Sequence, residues 1–599
     1  MKTSLRSIII FVIASLFILG LPWFLGKFGV SLMNDIGIGA LVALGLVLLT
    51  GVGGATSFGQ AAFVGVAAYT TAYLTTHYDL SAWTGLLAAV VITALCAFVI
   101  GVITLRLGGH FLPLSTIAWG LSISLLFGNM DMLGRNTGIT NIPPVSVGSV
   151  ALLSPLQMYY LIWLLVGLSM LFSYYLLRSR TGRVIRSLRG GSVLLASVGE
   201  DAFSVRLRLF IVAAIFAALA GWLYAHMNRF VSPSPFDLHA SINYLLMAIL
   251  GGVGFLSGAI VGAAGVLISK NYIQDILPLV SSRGGQLEAI VFSALFILLL
   301  HFARGGIMSY VAKRRSAGSQ GGGAESKRYE PSGLDPLPEK SPLAAGTEVL
   351  SVEGVVRRFG GLVAVNNVSF RVSAGEIVGL IGPNGAGKST MFNLITGVLG
   401  KSEGTIRFLG RDVTHHSQRQ IARMGVARTF QHVKLRPNMS VIDSVALGAN
   451  MRGSAGFLRS GLGLNRAEEK RIMDQAYRQL VRIGLEDKAY LPAGKLPLGL
   501  QRILEIARAL ASDPVLLILD EPAAGLRKNE KDVLADLLRQ LKAEGLTILI
   551  VEHDMDFVMK LVDRLVVMNF GAKLIEGLPQ EVRADKAVQD AYLGGSANE

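Results

Sequence analysis

Gly382-Pro-Asn-Gly-Ala-Gly-Lys388-Ser389-Thr390 is the stretch on which the reading of this chain turns. It fits the G-x-x-x-x-G-K-[ST] pattern, in which small residues let backbone N–H groups close around phosphate oxygens, a lysine reaches the terminal phosphates and a hydroxyl ligates magnesium. The flanks suit that role. Glu376-Ile-Val-Gly-Leu-Ile381 reads as a short buried strand, and Thr390-Met-Phe-Asn-Leu-Ile-Thr396 as a helix whose positive N-terminal end faces the anion.

This loop follows some 300 residues that are almost wholly apolar, in a chain of 599 residues that is 52% hydrophobic. That is too long for one core and too apolar for an entirely soluble protein, so two or more domains are expected, one of them in a membrane. The net charge of +15 comes with no basic patch interleaved with aromatics, which argues against nucleic acid. Arginines clustered in loops between apolar segments suit cytoplasmic membrane loops beside membrane lipid. Cys96 is the single cysteine, inside an apolar run, so disulfides within the chain and cysteine-based metal sites are excluded.

Apolar segments near the 20 residues needed to cross a bilayer are expected at 8–25, 36–55, 59–76, 84–106, 113–130, 158–177, 209–228, 243–268 and 286–303. Lys2 and Arg6 precede the first, which lacks a small-x-small cleavage pattern and reads as an uncleaved span with its N-terminus inside. Arg178, Arg180, Arg183, Arg186 and Arg189 fill one loop, and Arg304, Lys313, Arg314 and Arg315 follow the last segment; both regions are expected on the cytoplasmic side. Nine crossings would strand the nucleotide-binding part outside. The segment 243–268, interrupted by Gly251, Gly252, Gly254 and Gly258, is therefore expected to break into two half-helices that enter and return on the outer side. The domains expected are a polytopic helical membrane domain over 1–315, a flexible Gly/Ser/Pro linker over 316–346, and an α/β P-loop domain over 347–599.

Val515-Leu-Leu-Ile-Leu-Asp520-Glu521 is an apolar strand ending in two acids, which places Asp520 on a magnesium shell and Glu521 against an attacking water. Gln501-Arg-Ile-Leu-Glu-Ile-Ala-Arg-Ala-Leu510 before it is an amphipathic helix, and Thr547-Ile-Leu-Ile-Val-Glu-His553 is a further strand ending in a histidine. With these motifs in this order, residues from about 348 to 594 resemble the ATPase of ABC transporters. The resemblance implies a sandwich dimer with ATP between subunits. It implies that Phe359 stacks on adenine, and that Gly382, Pro383, Asn384, Gly385, Ala386, Gly387, Lys388, Ser389 and Thr390 hold the phosphates. Ser389, Gln431 (in Arg428-Thr-Phe-Gln431) and Asp520 would hold Mg2+, Glu521 would be the general base, and His553 would contact the γ-phosphate. A core aromatic is the other reading of Phe359, and a surface polar residue that of Gln431.

Two departures stand out. The family's Leu-Ser-Gly-Gly-Gln signature is Leu496-Pro497-Leu498-Gly499-Leu500 here, so the serine donor is missing, and Arg527 replaces the usual Asp or Asn after the Pro522 loop. A competent site would then pair this chain's Walker residues with a partner's intact signature.

The membrane half resembles a permease of the branched-chain amino-acid ABC importer family. The resemblance lies in Gly37–Leu46 leading into Gly51-Val-Gly-Gly-Ala-Thr-Ser57-Phe-Gly59-Gln-Ala-Ala-Phe63, in Gly182-Arg183-Val-Ile-Arg186-Ser-Leu-Arg189, in Ala220-Gly221-Trp-Leu-Tyr224 and in Leu250-Gly251-Gly252-Val-Gly254. Arg357-Arg-Phe-Gly-Gly-Leu, Glu521-Pro-Ala-Ala-Gly-Leu526 and Glu552-His-Asp-Met555 match the same family's ATPases. The resemblance implies import across the bacterial inner membrane by a fused permease-ATPase half-transporter, with a second permease, a second ATPase and a periplasmic solute-binding protein as partners. The arginine-rich loop would be a short cytoplasmic coupling helix in a groove beside Gln431; its other reading is a topology signal alone. Ser57, Gln60, His110, Asn129 and Asp131 are the polar residues near apolar segments that could line a solute path. Two other readings stand beside import of branched-chain or similar hydrophobic amino acids. One is an importer of urea, short amides or aromatic acids on the same plan; the other is a nucleotide-binding membrane regulator or channel.

Overall fold

The computed structural model describes residues 18–107, 111–280, 290–291, 293–294, 297–298, 301, 305–318, 329–341 and 343–593. The start of the expected first span, His110, most of 286–303 and the middle of the linker lie outside the described residues. The chain divides into two compact units: one of residues 1–178, 203–324 and 461–463, the other of 179–202, 325–460 and 464–599.

The first unit is helical. Among the described residues, six helices are long and apolar enough to cross a membrane, covering Lys27–Val52, Ala82–Thr104, Phe111–Asn129, Pro155–Arg178, Ala202–Asn228 and Leu256–Asp275. In chain order the helices are α1 (Lys27–Leu46, continued by a wider turn to Val52), α2 (Gln60–His77), α3 (Ala82–Thr104), α4 (Phe111–Asn129), α5 (Pro155–Arg178), α6 (Arg180–Ser187), α7 (Ser192–Ser197), α8 (Ala202–Asn228), α9 (Leu238–Gly251), α10 (Leu256–Val280) and α11 (Ile307–Gly318). Of these, α6 and α7 group with the second unit. α1 is buried over most of its length, whereas α3 and α4 leave Leu87, Leu95, Leu114 and Leu125 exposed, as an apolar solvent allows.

The expected break in 243–268 falls between Gly251 and Leu256, but the arms are unequal. α9 has 14 residues and starts earlier than expected, at Leu238. α10 has 25 residues, so it is no half-helix: its apolar stretch is long enough to cross. The two pack closely because the contact carries no side chains: a Cβ on Gly262 would lie 1.7 Å from the Met247 carbonyl oxygen, and one on Gly251 would lie 1.7 Å from that of Gly258.

The second unit is built on two sheets. β3 (Glu348–Phe359), β4 (Leu362–Ser373), β6 (Glu403–Phe408) and β7 (Arg411–Asp412) form an antiparallel sheet in the order β4-β3-β6-β7, the two-residue strands β1 (Ser146–Val147) and β2 (Val150–Ala151) being a hairpin of the first unit. The larger sheet has the order β12-β11-β5-β10-β9-β8, from β5 (Ile377–Ile381), β8 (Val426–Arg428), β9 (Leu516–Asp520), β10 (Thr547–Val551), β11 (Arg564–Asn569) and β12 (Ala572–Gly577). Its pairs are parallel except β11 with β12. β5, β9 and β10 are buried at every residue, which is why they read as unbroken apolar runs rather than alternating ones. Helices α12 (Lys388–Ile395), α13 (Gln418–Met424), α14 (Val441–Gly448), α15 (Phe457–Gly461), α16 (Arg466–Arg482), α17 (Leu498–Leu510) and α18 (Lys528–Ala543) follow in chain order.

Residues 329–341, inside the stretch read as a flexible linker, run along this unit and are fastened to it. Asp474 of α16 accepts hydrogen bonds from the Tyr329 hydroxyl (2.7 Å), the Ser332 N–H (3.0 Å) and the Ser332 hydroxyl. Leu337 is buried among Val441, Ile472 and Ala507, and Arg452 donates to the carbonyls of Leu337 and Pro338. Polar composition without periodicity hides such docking, because single anchors at irregular spacing carry it.

Candidate nucleotide site

The parallel strands of the larger sheet end side by side. The β5–β10 and β9–β10 registers put Leu380 beside Val551 and Val551 beside Asp520, so the loops after β5, β9 and β10 share one edge. That topology, and not proximity in sequence, brings residues 382–390, 520–521 and 552–553 together. A cavity of about 610 Å3 opens there, lined by Asn384 through Thr390, Gln431, Glu521 and, across from them, Leu362, Val363, Ala364, Phe570 and Gly571.

Gly387 caps α12 in the left-handed region, φ 94°, and a Cβ there would meet the Ala364 carbonyl oxygen at 2.4 Å, so only glycine fits. The turn leaves the first N–H groups of α12 toward the cavity, where an anion would complete them. Lys388 is buried, and its Nζ donates to the carbonyls of Gly382 (2.7 Å) and Pro383 (2.8 Å). Burial pulls this ammonium below the usual lysine range, with Glu521, Asp520 and Glu552 opposing the shift. Ser389 is exposed at the mouth.

Glu521 adopts φ +45°, in the left-handed region that residues with a Cβ rarely occupy. Its N–H donates to the Val551 carbonyl (2.8 Å), and its own carbonyl accepts from Arg502 of α17 (2.9 Å), so the strain is held from both sides. One carboxylate oxygen accepts from Gln431 Nε2 at 3.0 Å, and His553 Nδ1 lies 3.8 Å from the other. Asp520 is buried with Oδ1 lacking a hydrogen-bond partner; burial, only partly offset by Arg428, pushes its pKa up to about 6.

Gln431 thus meets Glu521 within the site. The arginine-rich segment packs against α14, α16 and α13. Arg183, fully buried, pairs with Glu469 and lies 3.8 Å from Asp443. Burial works against its charge, but Glu469 and Asp443 more than offset it and the pKa is raised. Arg180 donates to the carbonyls of Asn450, Gly453 and Ala455.

Phe359 is not among the cavity-lining residues. It is 42% exposed at the end of β3, with the Arg357 guanidinium 4.5 Å from its ring centre. Of the path candidates, Ser57 and Gln60 are buried, and neither amide atom of Gln60 has a partner. Asn129 donates back to Leu125, and Asp131 pairs with Arg135 at the surface.

Three residues that sequence reasoning passed over complete the site. Glu552, fully buried, accepts from the N–H groups of Ala523, His553 and Asp554 and so fastens the loops after β9 and β10 to each other; burial raises its pKa against those hydrogen bonds. Arg428 stacks on Phe392 and Phe430 at 4.4 and 5.1 Å and is pushed down to about 10 by burial, opposed by Asp520. Arg502 was visible as a charge on the α17 motif, but only the fold shows that it reaches the Glu521 carbonyl.

Residues 365–524 match the family described as "ABC transporter", residues 29–300 the "Branched-chain amino acid transport system / permease component", and residues 573–598 the "Branched-chain amino acid ATP-binding cassette transporter". The "High-affinity branched-chain amino acid transport ATP-binding protein LivG" of Salmonella typhimurium is 46% identical over 251 residues, 41% of this chain and 98% of that protein. The chain belongs to the branched-chain amino-acid ABC transporter family. It is a fusion of that family's permease and ATP-binding parts, and its second unit is an ABC ATPase that binds nucleotide. The family's BraF protein from Pseudomonas aeruginosa is 42% identical over 250 residues, 41% of this chain and 98% of that one. A solved ABC-transporter cassette in its ADP conformation is 32% identical, covering 41% of this chain and 99% of that chain, with a TM-score of 0.37.

Proposed function

We propose that this protein imports branched-chain or similar hydrophobic amino acids across the bacterial inner membrane, driven by ATP, as one permease-ATPase half of a transporter. The observation that carries the solute class is the permease match over residues 29–300 in the same polypeptide as a cassette 46% identical to a branched-chain amino-acid transport ATPase. A permease domain over 1–315, a tether over 316–346 and an ATPase over 347–599 would be completed by a second permease, a second ATPase and a periplasmic binding protein.

In the ATP site, Lys388 and the N–H groups of residues 384–390 would hold the phosphates. Ser389, Gln431 and Asp520 would hold Mg2+, and the unpaired buried Oδ1 of Asp520 fits that use. The metal, when bound, supplies charge neutralisation on the transferring phosphoryl group. Glu521, aimed by Gln431 and by its strained backbone, would take the proton from the attacking water, and His553, beside the same carboxylate, would contact the γ-phosphate. Phe359, exposed near the site's edge, would close on the adenine.

Vesicles containing the chain with its partner subunits and binding protein should take up labelled leucine with ATP inside the compartment facing the ATPase. Glu521→Gln should abolish uptake and lower hydrolysis by on the order of 10²–10⁴-fold, the range of a lost general base, while nucleotide stays bound. Uptake that survives Lys388→Ala would defeat the ATP-driven reading. Uptake of urea, an amide or an aromatic acid that leucine fails to compete would replace the solute.

A further inference from the structure

The hairpin at the edge of the larger sheet breaks a local rule. β11 and β12 pair Asn569 with Ala572, so their connection is the two residues Phe570 and Gly571, at φ +45° and φ +82°. Two positive φ values in a two-residue loop make a type I′ turn, whose first place favours Asn, Asp or Gly because a bulky side chain is strained there. Phe570 is also 89% exposed, and among the described residues of the second unit no large apolar side chain stands further out in water. A ring in a strained, solvent-facing place stabilises nothing in the hairpin itself. Such departures from local preference gather where a ligand is held.

The backbone of the turn is locked in place. The Gly571 N–H donates to the Ala386 carbonyl at 3.1 Å, and its carbonyl accepts from the Asn366 N–H at 2.8 Å. A Cβ on Gly571 would lie 3.0 Å from the Ala364 carbonyl oxygen, and one on Gly382 would lie 2.1 Å from that of Met568. The turn is thus fastened to the anion loop on one side and to β4 on the other, and this sets Phe570 on the wall of the nucleotide cavity.

The two sides of that cavity differ in chemistry. Residues 384–390 offer backbone N–H groups and the Lys388 ammonium, whereas Leu362, Val363, Ala364 and Phe570 offer apolar surface. Leu362, like Phe570, is exposed, at 66%. A ligand that satisfies both sides has an anionic end and a flat apolar end, which is the form of a nucleotide. Phe359 does not line this cavity, and its ring carries the Arg357 guanidinium.

We propose that Phe570 is a base-binding residue of the ATP site, its ring packed on a face of the adenine while residues 384–390 hold the phosphates of the same nucleotide. This rests on the ATP site read above and adds to it an aromatic wall carried by the β11–β12 turn. The strain of that turn is then the cost of holding a ring where the base arrives.

The full chain in lipid nanodiscs is tested for equilibrium binding of ATP and of inorganic tripolyphosphate, which has the anionic end but no base. Phe570→Asn installs a residue that the turn prefers, so its melting temperature should not fall below that of the wild type. Its affinity for ATP should drop by on the order of tenfold, as for a lost stacking contact, with tripolyphosphate binding unchanged. Phe570→Tyr should retain ATP affinity. In Phe570→Trp, ATP should quench the added indole emission and tripolyphosphate should not. Unchanged ATP affinity in Phe570→Asn would overturn the proposal, and so would an equal loss for both ligands, which would make the turn a support of the anion loop alone. Indole emission that responds to an added ATPase subunit but not to ATP would also overturn it, assigning the ring to a protein partner. Tripolyphosphate binding that survives Lys388→Ala would instead remove the phosphate site on which the proposal stands.

Discussion

Asp520 shows how a single carboxyl ties burial to chemistry. Its pKa is raised from 3.8 to about 6 because it sits at the buried end of β9 with an unpartnered oxygen. In the nucleotide-free protein the sign is clear: the folded state binds the proton more tightly than the unfolded chain, so this group's contribution to stability is full below pH 3.8 and is lost as pH rises through about 6. In the proposed Mg2+ site the metal would run the other way, since only the ionised carboxylate of Asp520 could hold it. Affinity for Mg–ATP should therefore be level above about pH 7 and weaken as pH falls through about 6, while Asp520→Asn should bind weakly with a flatter profile. Titration of nucleotide binding with and without Mg2+ checks this; an unchanged profile in the Asn variant would place the titrating group elsewhere. The motif showed that an acid stands here, but not that it is dry enough to titrate near neutrality.

At the scale of elements, α6 and its neighbours carry the next expectation. Arg183 is buried against Glu469 of α16, with Asp443 of α14 nearby. Removing one partner of a buried pair leaves the other charge without compensation, which costs about 3–5 kcal/mol. Glu469→Ala should therefore weaken the docking of α6 severely, leaving basal ATP hydrolysis but lowering ATP-driven uptake by at least tenfold. Exchanging both partners, Arg183→Glu with Glu469→Arg, should recover part of the loss, whereas a wild-type uptake rate in Glu469→Ala would remove this pair from coupling. The run of arginines was legible as a charged break between apolar segments, and its short helix as what the family resemblance implies. Its receiving surface was not, because Asp443 and Glu469 lie more than 250 residues away and nothing near them in sequence marks them as partners of arginine.

For the whole molecule, the proposed pairing with a second ATPase is tested at the turn around Pro497. Pro497 caps α17, its missing N–H costing nothing at that position, and the helix proceeds with Gln501 N–H bonded to the Pro497 carbonyl. The fold of α17 is thus kept while a hydroxyl donor for a facing nucleotide is absent. The chain purified alone should bind ATP but hydrolyse it slowly, and addition of an ATPase subunit with an intact signature should raise turnover. Pro497→Ser should raise hydrolysis by the chain alone, by about tenfold for one regained hydrogen bond to a charged group; no change would show that the donor is not what limits the site.

Sequence alone settled the classes of residue and their order. A glycine-rich anion loop, an apolar strand ending in two acids and long apolar helices each follow from local physics, since backbone freedom, period and solvent are written into neighbouring residues. The break near Gly251 was legible for the same reason, but the length of its second arm was not. Tertiary structure decided what meets: Gln431 with Glu521, Glu552 with the backbone of two loops, Arg183 with Glu469, Asp474 with residues 329–332, and Gly461 with Phe172. These pairings join residues far apart along the chain. They are set by the register of parallel strands and by the closure of long loops, whose outcome depends on the packing of the whole fold rather than on any window of sequence.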